Sequence, residues 1–272
     1  MLIDVKEYTP SLKKLWSETF GDDDEYINLL FDFDYTPAEC FAEISDGDVI
    51  SVLYLLKGYI TADGKVFEGR YLYAAATDKK HRGKGLMAEL IRQAREYVKE
   101  KGLSFICLVP ADEGLYGYYA RFGFEAVMRN FVSTFGGKNS GLIEESADFS
   151  EYLRARKEIS VPFFCFGEDE WKYAFSCLNY AGYKVINNTC DSYIIIDEAN
   201  KEVLEYISSD ENLADNTKKL LSKLSAGASI VSPYDLSDFC ECRENRFGMV
   251  YFADNRLKDY TADGIYMNIA LD

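Results

Sequence analysis

Histidine, positive charge and long apolar runs are all scarce in this chain, and each shortage excludes something. His81 is the only histidine among 272 residues. The Cys240-x-Cys242 pair is closer than the usual C-x2-C zinc clip, so no structural zinc site can be assembled and no metal is expected. Lysine and arginine number 30 against 46 aspartates and glutamates, a formal net charge of −16. That field repels nucleic acid and anionic membrane, so a DNA or RNA role is not expected. It suits a cationic small molecule as partner, although solubility alone accounts for an acidic surface. No apolar run reaches the roughly 18 residues needed to cross a bilayer; the longest of interest, residues 49–56, fits a strand. The opening sequence MLIDVKEYTPSLKKLW has no apolar signal core. The seven cysteines, Cys40, Cys107, Cys165, Cys177, Cys190, Cys240 and Cys242, are odd in number and scattered, the pattern of reduced thiols in a cytoplasmic protein. Nucleotide signatures are missing too. There is no G-x-x-x-x-G-K-[ST] P-loop, and the turn Arg82-Gly83-Lys84-Gly85 lacks the G-x-G-x-x-G spacing, with Ala75-Ala76-Thr77 where the first glycine would stand.

That turn is nevertheless the most informative stretch. Residues 71–76 are a short apolar run, and the turn opens a helix whose apolar positions Leu86, Met87, Leu90, Ile91, Ala94 and Val98 recur at helical spacing. A helix N-terminus presents backbone N–H groups that have no acceptor within the helix. Glycines at 83 and 85 remove the Cβ atoms that would hold a ligand away from those amides, and Arg82 and Lys84 add charge. The helix dipole contributes roughly 0.3–1 kcal/mol at an exposed end, so directed hydrogen bonds and the cations supply most of the grip on an anion. A solvated basic connection would use the same four residues, and the context decides between the two. Beyond the helix come a second strand and then Tyr119-x-x-x-Gly123-Phe124.

Arg82-x-x-Gly85 between a strand and a helix, followed by Tyr119-x-x-x-Gly123-Phe124, resembles the GCN5-related N-acetyltransferase (GNAT) family over residues 1–135. The resemblance implies an α/β (α+β) fold, with a mixed central sheet flanked by helices, and acetyl-CoA as cosubstrate. It implies that the backbone of Ala75, Ala76 and Thr77 lines the pantetheine arm. The turn Arg82, Gly83, Lys84 and Gly85, with the amides of Leu86, Met87 and Ala88, would then bind the pyrophosphate. Tyr119 would stand near the thioester sulfur as acid for the departing thiolate; a phenol with a reference pKa near 10 is protonated at neutral pH. A structural aromatic is the default for any of 21 tyrosines, and Tyr116 and Tyr118 lie beside it. The family pattern ends in Gly or Ala where this chain has Met87, whose side chain must turn from the phosphates. Bulky residues occur there in the two-lobed branch related to the mycobacterial enhanced intracellular survival protein. The strand glutamate that serves some relatives as general base falls at Tyr71. Glu68, Glu43 and the terminal carboxylate of Asp272 are the candidates that remain, the last implied by resemblance to that branch, and water can suffice. His81 precedes Arg82 and is expected to face solvent or phosphate, away from the thioester.

Along the chain, a first strand is expected over 2–7 and a helix over 11–20 capped by Ser11 or Thr9. Asp22, Asp23, Asp24 and Glu25 read as a solvated helix start before an apolar stretch, 26–33, that can wall a substrate cleft. Strands follow over 39–44, 49–59 and 65–76, joined at Asp46-Gly47 and Asp63-Gly64, both strong hairpin signals. The domain division expected is a GNAT domain over 1–135, a linker over 136–150 and a smaller α+β lobe over 151–272. In that lobe helices are read over 144–157, 168–180 and 215–224. Strands are read over 193–196, 203–207, 229–232, 249–252 and 265–271, with a turn at 198–201. The order echoes the first half, and a degenerate second acetyltransferase lobe and an unrelated α+β domain both fit. Between residues 207 and 217 there is neither glycine nor arginine, and Asp210, Glu211 and Asp215 would repel phosphates. One cofactor site per chain is therefore expected, with the second lobe closing the cleft or supporting a homo-oligomer. The activity expected is acetyl-CoA-dependent N-acetylation of a small cationic amine. The alternatives are a non-catalytic acyl-CoA-binding module and an interaction protein.

Overall fold

The computed structural model describes residues 1–31, 39–136, 149–197 and 202–271. Strand β1 (Leu2–Ile3) ends early because the Asp4 carboxylate accepts from the Lys6 N–H and starts helix α1 (Val5–Phe20). The strand expected over 2–7 and the helix start at 11 are thus both corrected. Thr9 instead donates to the Val5 carbonyl at 2.9 Å, and Ser11 accepts from the Val49 N–H at 2.8 Å, tying α1 to the sheet. Gly21, at φ 82°, closes α1 by donating to the Ser17 carbonyl, and helix α2 (Asp24–Phe31) follows.

Strands β2 (Glu39–Ser45), β3 (Asp48–Ala62) and β4 (Lys65–Thr77) form the expected antiparallel meander. At both hairpins Asp and Gly have positive φ, 53° and 87° at residues 46 and 47 and 49° and 69° at 63 and 64, the conformation that matches strand twist. Next come helix α3 (Leu86–Glu100), strand β5 (Phe105–Leu108) parallel to β4, helix α4 (Glu113–Ala120) and strand β6 (Glu125–Thr134). The alternation along β3 sorts its side chains onto two faces. Leu53 and Leu55 pack with Leu90, Ile91, Ala94 and Val98 of α3, while Tyr54 and Leu56 join Leu12, Leu15 and Trp16 of α1. With both faces covered, this half of the sheet is core.

The second half contains α5 (Phe149–Arg156), β7 (Phe163–Phe166), α6 (Glu168–Tyr180), β8 (Lys184–Thr189), β9 (Ser192–Asp197), β10 (Glu202–Ser208), α7 (Leu213–Lys223), β11 (Ser229–Ser232), β12 (Glu241–Phe252), α8 (Asn255–Lys258) and β13 (Ile265–Tyr266). Strands β7 and β8 were not expected, and the strand read over 265–271 keeps only its first two residues. Most of the linker, the start of the helix read over 144–157 and the turn at 198–201 lie outside the described residues. Antiparallel β8, β9 and β10, then α7, then β11 parallel to β10 repeat the order of β2, β3, β4, α3 and β5.

Among the described residues the two halves share one 13-stranded sheet, ordered β1-β2-β3-β4-β5-β12-β6-β11-β10-β9-β8, with β13 between β6 and β7 and β7 also paired to β3. Strand β12 lies antiparallel between β5 and β6. The division expected at 136–150 therefore does not part the sheet, since residues 241–252 complete the half that the first 135 residues begin. Nothing local in the sequence announces such a pairing, because it joins strands more than a hundred residues apart. Among the described residues no helix is long and apolar enough to cross a membrane, and no group of three His, Cys, Asp or Glu side chains could hold a metal.

Candidate functional site

Parallel β4 and β5 pair only at Arg70 with Ile106 and Tyr71 with Cys107, and beyond that point they part. Two local features hold them apart. Pro110, in the continuation of β5, has no N–H to give a ladder. In β4 the register against β3 slips between Tyr73 and Ala76, so Ala74 and Ala75 together face one β3 residue, and Ala74 takes φ 45°. This is a β-bulge, and a left-handed alanine costs roughly 1–2 kcal/mol, strain of the kind concentrated at functional sites. The parted strands leave a cleft of about 490 Å³. It is lined by Leu72, Ala74, Ala75, Leu108, Val109, Pro110, Ala111, Leu115 and Tyr119, and by Trp16, Phe20, Asp22, Tyr71, Tyr73 and Leu271.

Beyond β4, a 3₁₀ turn at Lys79–His81 leads to the glycines. Gly83 and Gly85 stand at φ 75° and 81°, and a Cβ added at either would meet nothing within 4 Å. Gly85 offers no side-chain cap to α3, and the first helical bond is the Glu89 N–H to the Gly85 carbonyl at 3.0 Å, so the amides of Leu86, Met87 and Ala88 have no helical acceptor. An exposed, uncapped helix start with open space over left-handed glycines fits a phosphate group. Arg82 donates from Nε to the Thr77 carbonyl at 3.0 Å, fixing the turn to the strand end. Met87 packs into the α3 core, turned as its size requires. His81 shares a 2.7 Å hydrogen bond with Asp78, whose carboxyl that bond holds below the usual range.

Tyr119 sits on α4, which Asp112 caps by accepting from the Leu115 N–H. Gly123, at φ 79°, reverses the chain after α4 so that Phe124 lies edge-on to the Tyr119 ring at 5.8 Å. That contact gives the Tyr-x-x-x-Gly-Phe spacing its physical sense. Tyr119 is only 8% exposed, lines the cleft, and its hydroxyl makes no hydrogen bond to a described residue. Burial, with a smaller contribution from Tyr118, pushes its phenol up to about 12. Its neighbours are occupied: Tyr116 donates to the Phe247 carbonyl at 3.1 Å, and Tyr118 packs on Phe122 and under Arg121.

The cleft gathers Ala75 and Tyr119 of the residues read from sequence. Ala76 is buried, its carbonyl accepting from Ser51 at 3.2 Å, and Thr77 bonds the same serine hydroxyl at 2.8 Å. Neither lines the cleft, nor do residues 82–88, which form the turn and the start of α3 beyond β4. Of the base candidates, Glu68 pairs with Arg70 at 3.2 Å and Glu43 with the N-terminal ammonium at 3.7 Å, away from the cleft, and Asp272 lies outside the described residues. Asp22, read as part of a solvated helix start, lines the cleft instead. The left-handed Gly21 folds the chain back so that the Trp16 Nε1 donates to Asp22 Oδ2 at 2.7 Å. The helix-ending glycine and the tryptophan one turn before it were the legible signal.

Residues 5–127 match the family model described as an Acetyltransferase (GNAT) domain. This stretch, just under half of the chain, is similar to the GNAT acetyltransferases. No curated protein matches the sequence. Solved structures of similar fold include Eis1 from Mycobacterium abscessus, 12% identical, covering 93% of this chain and 73% of its own with a TM-score of 0.70. The GCN5-related N-acetyltransferase from Kribbella flavida is 14% identical, covering 93% and 72% with a TM-score of 0.67. That from Anabaena variabilis is 11% identical, covering 92% and 71% with a TM-score of 0.64. The likeness runs through both halves of the chain, so the two-lobed fold is shared.

Proposed function

We propose that this protein is a cytoplasmic, acetyl-CoA-dependent N-acetyltransferase acting on a small cationic amine. The observation that carries the reading is the parting of β4 and β5 beside Tyr119, whose hydroxyl has no hydrogen-bond partner among the described residues. Ala74 and Ala75 line the cleft at the bulge and would hold the pantetheine arm, and the uncapped turn from Arg82 to Ala88 would hold the pyrophosphate. Bound acetyl-CoA would supply an acyl thioester: the carbon–sulfur bond breaks as a carbon–nitrogen bond forms, and the amine nitrogen loses a proton to water, from which the Tyr119 hydroxyl is restored after it protonates the sulfur. Tyr119 gives its proton to the departing sulfur, and its raised pKa keeps that proton available at neutral pH. Release of thiol from acetyl-CoA against a panel of amines tests the reading. Thiol release with no amine, alongside tight CoA binding, would leave a binding module in its place.

Gly85→Val is expected to weaken CoA binding tenfold or more, about 1.4 kcal/mol or above. At φ 81° a β-branched residue is strained, and its methyl groups enter the space over the amides. Calorimetry showing unchanged affinity in a folded variant would remove the turn from the site.

The second half supports a single cofactor site per chain. At the turn between β10 and α7, which corresponds in order to the glycine turn, the Asp191 carboxylate accepts from the Ser209 hydroxyl, from Asn212 at 2.8 Å and from Asn216 at 3.1 Å. These bonds, the Ser209 hydroxyl foremost, hold its carboxyl well below the usual range. An internal anion thus occupies the position a phosphate would need. Calorimetric titration with CoA is expected to give one site per chain, and two equivalent sites would overturn this.

A further inference from the structure

We infer that the acceptor is a monoamine with a flat apolar body, its ammonium met by Asp22, through whose carboxylate the proton passes to water before the freed nitrogen attacks the thioester carbon, and its body held by the rings beside it; this rests on the N-acetyltransferase reading. Asp22 is the one charged side chain among the described residues that line the cleft. Its Oδ2 takes the Trp16 indole N–H at 2.7 Å, and its Oδ1 has no hydrogen-bond partner among the described residues. No lysine or arginine among them pairs with it, whereas its neighbour Asp23 is bonded to the Tyr180 hydroxyl at 2.5 Å. Asp22 is therefore a carboxylate oriented by a neutral donor and lacking a cation, half-buried at the wall of an apolar cleft. A ligand ammonium supplies the missing charge at no cost of breaking an existing pair.

The surroundings select what the ammonium is attached to. Trp16 meets Tyr73 edge-on at 5.6 Å, and Tyr71 stacks on Tyr73 at 6.3 Å. Tyr73 engages its hydroxyl with Tyr173 at 3.0 Å. The lining around Asp22 is thus mainly ring surface with one anion, which suits an aromatic or flat alicyclic body and a cation within reach of the rings. A second ammonium would enter this apolar lining with no carboxylate to meet it, and its desolvation would go uncompensated. The cleft, at about 490 Å³, must also take the thioester end of the cosubstrate, which leaves room for one ring system and a short chain. The net charge of −16 draws polycations to the surface from a distance, but that attraction does not seat them in the cleft.

The test compares 2-phenylethylamine and tryptamine with spermidine and kanamycin as acceptors. Alongside it, calorimetry measures 2-phenylethylamine binding to the CoA-saturated enzyme, which needs no turnover. The arylalkylamines are expected to exceed spermidine and kanamycin at least tenfold in kcat/KM. Asp22→Asn is expected to raise both the KM and the Kd of 2-phenylethylamine tenfold or more while leaving the Kd of CoA unchanged. Trp16→Phe keeps a ring and removes the donor, and is expected to raise them less. Preference for spermidine or kanamycin, or an Asp22→Asn enzyme that binds 2-phenylethylamine like the parent, would overturn the inference. If no amine is acetylated while 2-phenylethylamine still binds through Asp22, the acetyltransferase reading fails and the binding inference stands.

Discussion

Tyr119→Phe is expected to lower kcat by roughly 10²-fold or more while leaving CoA affinity nearly unchanged. The substitution keeps the ring that packs on Phe124 and removes only a hydroxyl that has no hydrogen-bond partner among the described residues, so folding should survive. The pH dependence carries a further sign. Deprotonation on raising pH removes the donor, and burial moves that loss from near 10 up to about 12, so Tyr119 should cause no fall in kcat between pH 7 and 10. Tyr118→Phe and Tyr116→Phe are the controls, and both should retain turnover. The latter loses a hydrogen bond to the Phe247 carbonyl, worth about 1 kcal/mol of stability. Parent-like turnover in all three variants would make Tyr119 structural, and an alkaline limb near pH 10 that vanishes in Tyr119→Phe would contradict its burial.

What the sequence made legible here was local. The two Asp-Gly hairpins, the periodic helix of residues 86–100 and the Tyr-x-x-x-Gly-Phe spacing each declare themselves within a few residues, and each stands where expected. The rest of the cleft lining was harder to read, since much of it is brought together from distant parts of the chain. Asp22 reaches the cleft through a left-handed glycine and an indole six residues before it, and in sequence it is one acid in a run of four. Leu271 comes from the far end of the chain. Strand β12 carries a short continuous apolar run over residues 249–252, but only its partners, β5 and β6, reveal that it completes the first half of the sheet. The bulge at Ala74 was hidden for another reason, since alanine is not the residue that a left-handed backbone normally advertises.

Glu205→Gln is expected to cost about 3–5 kcal/mol of stability, because it leaves Arg156 buried without its counter-ion. Arg156 is 1% exposed and Glu205 0%. The guanidinium pairs with one Glu205 oxygen and donates from Nη2 to the Phe164 carbonyl at 3.0 Å; Tyr152 donates to the other oxygen and Tyr266 to the first at 2.7 Å. Burial alone would disfavour the charge on Arg156, and Glu205 with the two phenols more than offsets it, keeping the arginine charged. One cluster thereby fastens α5, β7, β10 and β13. Since β13 leads through the buried Met267 and Ile269 to Leu271 at the cleft, loosening it should also raise the KM of the acceptor amine and leave the Kd of CoA unchanged. Urea denaturation reads the stability loss. The double variant Arg156→Met with Glu205→Leu removes both charges together and should recover most of it, the mark of a pair whose value lies in compensation. A Glu205→Gln protein within about 1 kcal/mol of the parent, or a double variant no more stable than the single one, would mean that packing rather than charge compensation holds these four elements together.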